Sequence, residues 1–581
     1  MLKKDKIAQL LTQKSSLLLS IGAGILLIAG GIGIYIALLS KRPVGEGPLG
    51  ANAIPQDALM TISVTTNTAQ WEQLRKFGTP ESQKAFDRFI GDVRDRVLTV
   101  NGYGYQQDIQ PWIGPETTIA FLPNTTATNS PSSPPTQQSV VMVLPIANPL
   151  KAKEILGQPR PLTKGKMVER NYKGISITET EGVPNQNYSV AVLGTEYLLV
   201  TNNPKATENA IDTYKGGNSI LKTPGYLEAL EQIKNSGSFA KIYVNIPLAT
   251  VFTSNNSARP ITEQNLEKLQ QIQGLATNVN LEYDGMAFKS ISWYKPDSEK
   301  KQAMENNAKT MTTLLPNNTI MMMSGGNFQR LWQSYTEGAN TNPLAPIKPE
   351  ELRLNIKNST GMDWDKDFVN WMEGEFALGV IPAQPGAKTT FGSGLLFLVQ
   401  TRDRNNADKT LKQLDESMKT KQFKVESKQI KGVPVMQWTS QFGSINVTRG
   451  WLNNNIAFIS LGAPIVESII PKPQSALLTG ELFQKTVPLI KENNGHFFID
   501  VNNTFNPKTL SLPELPEPQK VWVDAIQSIG VTTAVTSDRT TRYDMLVRFN
   551  KTIPNRPSIS PTPSPNSSSS STPSPQEKKS P

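Results

Sequence analysis

The stretch DIQPWIGPETTIAFLP, Asp108 to Pro123, decides how this chain is read, because it returns as DFVNWMEGEFALGVIP, Asp367 to Pro382. Four residues recur at one spacing: Asp108 and Asp367, Trp112 and Trp371, Glu116 and Glu375, Pro123 and Pro382, each pair 259 apart. Landmarks on either side keep the same order with nearly the same offset. IPQDALMTISV (54–64), a strand candidate leading to a helical stretch at Trp71, matches LPNNTIMMMSG (315–325) leading to Trp332. VVMVLP (140–145) matches LLFLVQ (395–400), and both read as strands covered on two faces because they are apolar without alternation.

Each of these strands leads into a helix, at 149–157 or 406–418. Then come YKGISITE and IKGVPVMQ, sharing Lys-Gly at 173–174 and 431–432. A strand pair follows (YSVAVLG with EYLLVTN, SINVTRG with NIAFISL), then a helix bearing Glu208 or Glu467, and a second helix near 224–234 or 480–491. KIYVN or FFIDVN, a last helix and an alternating strand pair close each copy. Alternation argues for antiparallel pairing with one solvated face. The expectation is therefore a domain-sized duplication of α+β class with largely antiparallel sheets.

Boundaries follow from composition. Residues 1–14 are basic, and 15–40 carry no charge, with an almost wholly apolar run from Leu17 to Leu39. About 20 helical residues cross the hydrocarbon, so the run is long enough to span. A cleaved signal peptide would have a shorter apolar region and an A-x-A-like site, which the end at Ala37-Leu38-Leu39-Ser40 lacks. Residues 41–53 read as a linker rich in Gly and Pro. The first repeat is placed at 54–296, a polar, helix-compatible bridge at 297–314, and the second repeat at 315–550. The Pro/Ser-rich tail, 551–581, has too little apolar surface to offset the entropy of ordering.

Four lysines precede the span and only Lys41 and Arg42 closely follow it, so the positive-inside bias puts the N-terminus in the cytoplasm and the body across the membrane. Ala29, Gly33 and Ala37 form a small-residue stripe that would permit weak self-association through the span. The net charge of +10 sits mostly at the two ends, leaving +3 over the body. A body so nearly neutral has no footprint for phosphate backbones, and nucleic acid is not an expected partner. Absence of cysteine excludes thiolate metal sites, disulfides and a Cys nucleophile, and His496 is the single histidine.

Chemistry is harder to find. Asp108, Glu116, Asp367 and Glu375 are carboxylates of the kind used in acid/base work. The competing reading makes each Asp a cap on a short helix with the Trp packed beneath, and each Glu the start of a strand. Fold-defining residues must be kept in both copies of a duplication, whereas catalytic sites seldom are, which favours structure. Asp363, Asp365 and Asp367 alternate as in a calcium loop, but that loop wants Gly sixth and Glu twelfth, and Phe368 and Gly374 stand there. His496 reads as a partly exposed strand residue. No nucleophile elbow, P-loop or dinucleotide fingerprint occurs. No catalytic, cofactor-binding or metal residue is assigned, and no cofactor is expected.

The N-terminal lysines with their single span, IPQDALMTISV, DIQPWIGPETTIAFLP and YLLVTNNPKATENAI together resemble a cyanobacterial family of single-pass membrane-anchored proteins whose domain is of unknown function. The resemblance covers about 54–550. It implies a plasma or thylakoid membrane, with the body in periplasm or lumen, and brings no catalytic residues with it. The expectation is a non-catalytic binding or scaffold protein with a protein or envelope partner. Alternatives are a lipid- or glycan-binding module and a carboxylate-based hydrolase.

Overall fold

The computed structural model describes residues 47–551, except 98–102, 124–138, 159–165, 182–187, 256–262, 340–346, 387–391, 442–445 and positions 236, 385 and 511. The expected span at 15–40 and all of the tail but Lys551 lie outside the described residues. Among those residues no helix is long and apolar enough to cross a membrane.

The first half supplies β1 (Met60–Thr65), β2 (Glu116–Leu122), β3 (Ser139–Pro145), β4 (Lys166–Tyr172), β5 (Ile175–Glu181), β6 (Ser189–Leu193), β7 (Tyr197–Thr201), β8 (Ala240–Asn245), β9 (Ile272–Leu281) and β10 (Gly285–Tyr294). The second supplies β11 (Met321–Gly325), β12 (Phe376–Pro382), β13 (Ser393–Gln400), β14 (Lys424–Ile430), β15 (Val433–Thr439), β16 (Asn446–Leu452), β17 (Ile456–Gly462), β18 (Gly495–Asp500), β19 (Ile526–Ser537) and β20 (Thr540–Phe549).

The first ten pair in the spatial order β4-β5-β6-β7-β3-β2-β1-β8-β9-β10, every pair antiparallel. The second ten pair in the same order with each number raised by ten. β10 then pairs with β20, Gly285 opposite Arg548 and Trp293 opposite Thr540, so one 20-stranded sheet runs through both halves. The class is α+β, as expected. The join is closer than two tandem domains would require.

Side-chain alternation distributes the cores. On one face of the first half, Val141, Val143, Ala120, Leu122, Ile291 and Trp293 pack with Ile211 and Tyr226 from the helices Pro204–Tyr214 and Tyr226–Gln232. Leu396, Leu398, Phe458, Phe483 and Phe498 do the same in the second half. On the opposite face the cores meet: Ile62, Val64, Phe239 and Phe288 pack with Ile499, Ile529 and Val547. Burial shared across the β10–β20 seam couples the two halves energetically. VVMVLP is covered on both faces as read and LLFLVQ in its later part, since Leu144 and Val399 belong to further clusters opposite Val143 and Leu398, whereas Leu395 is exposed.

Several expectations are corrected. From Gly47 the supposed linker is packed structure, with Ala51 and Ala53 in a buried 3-10 turn, because small residues here fit against Val143 and its neighbours. The bridge is irregular rather than helical up to Thr310, held by Asn306 to the Val535 backbone at 2.9 and 3.0 Å. The shared Lys-Gly falls between paired strands, β4 and β5 or β14 and β15. Lys173 and Gly174, like Lys431 and Gly432, both take positive φ, the two-residue turn whose twist suits an antiparallel hairpin and whose second position glycine fills without strain. Glu467 sits in a single 3-10 turn, Val466–Ser468, where the first half has a full helix, and the helix expected at 480–491 is only Glu481–Thr486.

Candidate functional site

The repeated stretch builds the same device twice. Tyr105–Ile109 and Trp364–Phe368 are π-turns, each with the Asp at its fourth position. The Gly104 N–H donates to Asp108 Oδ2 at 2.7 Å, and the Asp363 N–H to Asp367 Oδ2 at 2.7 Å. Each carboxylate thus reaches back to satisfy a backbone donor that the turn leaves open. The indole N–H four residues on donates to the same Asp's carbonyl, Trp112 to Asp108 at 2.5 Å and Trp371 to Asp367 at 2.9 Å. Both indoles are buried to 2 % exposure or less. The Trp packs beneath its turn as expected, but each Asp bonds back from the fourth position of the turn, and the N-cap positions are Gly104 and Asp363.

Glu116 and Glu375 begin β2 and β12 and hold the chain that leads into their half. Glu116 Oε1 accepts from the Leu49 N–H at 3.2 Å and Oε2 pairs with Lys241 Nζ at 2.7 Å. Glu375 Oε2 accepts from the Lys309 and Thr310 N–H groups at 3.0 and 2.7 Å, and Oε1 from the Thr310 hydroxyl at 3.0 Å. The acids fall in separate halves, and within each half Asp and Glu serve different backbone segments. A paired-carboxylate centre is not what these residues form.

The three alternating aspartates are likewise committed to protein partners. Asp363 Oδ1 accepts from the Lys366 N–H at 3.0 Å, which makes the second turn a reciprocal capping box that Gly104 cannot reproduce in the first. Asp365 takes the Trp332 indole N–H at 2.6 Å and the Arg353 guanidinium at 2.5 Å. Burial pushes its carboxyl up, but those two donors outweigh it and hold it below the usual range. No cluster of three metal-ligating side chains occurs among the described residues.

His496 is buried, not partly exposed. Its Nδ1 lies 3.0 Å from Thr532 Oγ1, the ring packs edge-on to Phe483, and burial pushes its pKa down to about 4. Strand register explains why it has no histidine counterpart: the matching position in β8 is Lys241, which needs Glu116 beside it.

Sequence reasoning missed two features. Asp415 in the helix Arg404–Thr420 and Arg449 in β16 form a buried ion pair, each 8 % exposed, with the Trp438 indole donating to Asp415 Oδ1 at 2.9 Å. Little in the sequence marked the pair, since Arg449 stands in a mixed strand, NVTRGWL, and Asp415 lies on a helix 34 residues away. The other is a cleft of about 490 Å3 in the first half, walled by Gln56, Asp57, Asn218, Asn245, Gln273 and Lys295. Burial raises the Asp57 carboxyl above its ordinary range, against an opposing hydrogen bond from its own backbone. These residues come from five distant segments, so no sequence signal marked them.

The structure is similar, at a TM-score of 0.25 and 9% identity, to "Structure of crystal form I of TP0453", covering 44% of this chain and 81% of that one. Crystal form III of the same protein gives 0.25 and 9%, with 44% and 83% covered. At that score the likeness bears on neither fold nor function. No curated protein matches the sequence. The family described as "Protein of unknown function (DUF3352)" matches residues 19–549, nearly the whole length, and the chain belongs to that family.

Proposed function

We propose that this is a single-pass membrane-anchored protein whose body, two copies of one unit, binds a protein or envelope component and catalyses no reaction. The observation that carries this reading is the use to which the repeated acids are put. Asp108, Asp367, Glu116 and Glu375 all accept backbone hydrogen bonds that fix a turn or an incoming segment. What the halves share is architecture, which leaves the surface where they differ to supply specificity. Equal pairing order in the two halves supports the duplication. A long, jointly cored sheet suits a rigid platform.

In this reading the N-terminus is cytoplasmic and the body periplasmic or lumenal, at a plasma or thylakoid membrane. The lysines before the uncharged 15–40 run and the resemblance to cyanobacterial anchored proteins support that placement. The test uses the full chain, tagged at its C-terminus and crosslinked in its own membrane before mild detergent extraction. A partner should copurify near one-to-one through a high-salt wash. Recovery of nothing above an untagged control would overturn the reading, as would full protease protection of the body from the periplasmic or lumenal side.

A further inference from the structure

The two halves differ at the open cleft in a way that points to a ligand. Register aligns Lys295 with Asn550, since Tyr294 follows Trp293 opposite Ile272 as Phe549 follows Arg548 opposite Ile526. It also aligns Pro247 with Asn502, two residues beyond the ends of β8 and β18. In the second half these two asparagines bond reciprocally, Asn502 Nδ2 to Asn550 Oδ1 at 2.9 Å and Asn550 Nδ2 to Asn502 Oδ1 at 3.0 Å. The two side chains are thereby tied to each other. In the first half proline offers no side-chain donor or acceptor, lysine replaces the amide, and the cleft stands open.

The open cleft is furnished for a neutral, oxygen-rich guest. Its lining carries one carboxyl, Asp57, and one ammonium, Lys295, and the neighbouring Lys222 ammonium is held by Asn218 Oδ1 and the Gly217 carbonyl, so the lining itself is balanced in charge. Its amides are already oriented from one end. Asn245 Oδ1 accepts from the Leu248 N–H at 3.3 Å, Gln56 Nε2 donates to the Lys222 carbonyl at 3.2 Å, and Asn218 Oδ1 accepts from Lys222 Nζ at 3.3 Å. Each keeps its other end for a ligand, which suits hydroxyls that both donate and accept. Pro55 and Pro247 add apolar faces for C–H groups. The volume falls in the range of roughly 300–1,000 Å3 usual for small-molecule sites.

We propose that this cleft binds a neutral saccharide of one or two rings, and that the second half has lost the equivalent site by the Asn502–Asn550 bridge. This goes beyond the scaffold reading and does not depend on it. The full chain in detergent micelles is titrated with maltose, cellobiose and chitobiose by calorimetry and saturation-transfer NMR. At least one should bind saturably. The double variant Pro247→Asn/Lys295→Asn, which installs the second half's bridge, should weaken it by about tenfold or more while cooperative melting is retained. Where that variant fails to melt cooperatively, Gln273→Ala and Asp57→Asn decide, with loss of affinity expected from both. No saturable binding of the three sugars up to about 10 mM would overturn the proposal. So would binding that folded variants leave unchanged, or saturable binding of a neutral tripeptide or inorganic phosphate but of no sugar.

Discussion

Glu116 and Glu375 stand at the head of matching strands, and each grips the backbone of the segment that leads into its own half. The Leu49 N–H lies 3.2 Å from Glu116 Oε1 and the Thr310 N–H 2.7 Å from Glu375 Oε2. Leu49 and Thr310 are 261 apart, the offset that also relates β1 to β11. Glu375 makes two such bonds and a third to the Thr310 hydroxyl and is 9 % exposed, whereas Glu116 shares itself with Lys241. Removing the buried acceptor leaves its donors stranded. Glu375→Ala should cost about 2–4 kcal/mol and Glu116→Ala about 1–2 kcal/mol. Chemical denaturation measures both, and amide exchange should speed up at 309–310 and at 49 respectively.

Asp367 completes a reciprocal capping box that Asp108 lacks, so the second π-turn depends on more carboxylate bonds than the first. Asp367→Ala should destabilise by about 1–2 kcal/mol, and Asp108→Ala by a similar or smaller amount, as for other capping losses. Trp371→Ala removes a fully buried indole and should cost about 3–5 kcal/mol. Equal partner recovery by the folded Asp367→Ala variant is expected, and its loss would return this stretch to candidacy as a binding site.

The buried Asp415–Arg449 pair contributes little net stability as a pair, but removing one partner alone is costly. Asp415→Ala leaves the guanidinium and the Trp438 indole without their acceptor and should cost about 3–5 kcal/mol. Replacing the pair together, Asp415→Leu with Arg449→Met, removes the charge instead of orphaning it. That double variant should lie within about 1–2 kcal/mol of the wild type. Denaturation of the wild type, the singles Asp415→Leu and Arg449→Met, and the double variant closes the cycle.

His496 gives the body an acid dependence of known sign. Its folded pKa of about 4 lies below the ordinary 6.5, so between those values the unfolded chain takes up a proton that the folded one refuses. Stability is therefore full above about pH 6.5 and falls as the pH drops toward 4. Relative to His496→Gln, the wild type should lose about 2 kcal/mol between pH 7 and pH 5. A difference that stays flat across that window would mean that the imidazole titrates normally.

Much of the order of elements was legible, and for a local reason. Unbroken apolar runs such as VVMVLP mark strands covered on both faces, and the Asp–Trp–Glu spacing repeats because its hydrogen bonds lie within a few residues of one another. The Asp108–Trp112 bond spans four residues, so sequence spacing alone implies it. Local reading failed where the partner was remote. Gly47 to Ala53 read as linker because only Val143, some ninety residues on, shows that small residues there are core.

By itself, then, the sequence determined the α+β class, the 259-residue register and the structural character of Asp108, Asp367, Glu116 and Glu375. Those follow from patterns within one element or from comparison of one half with the other. Only the tertiary structure decided that β10 pairs with β20 to fuse the halves over a shared core, that His496 is buried, and that one cleft is open where Asn502 and Asn550 bridge its counterpart. Each of these depends on side chains brought together from segments tens to hundreds of residues apart, where no periodicity records the contact.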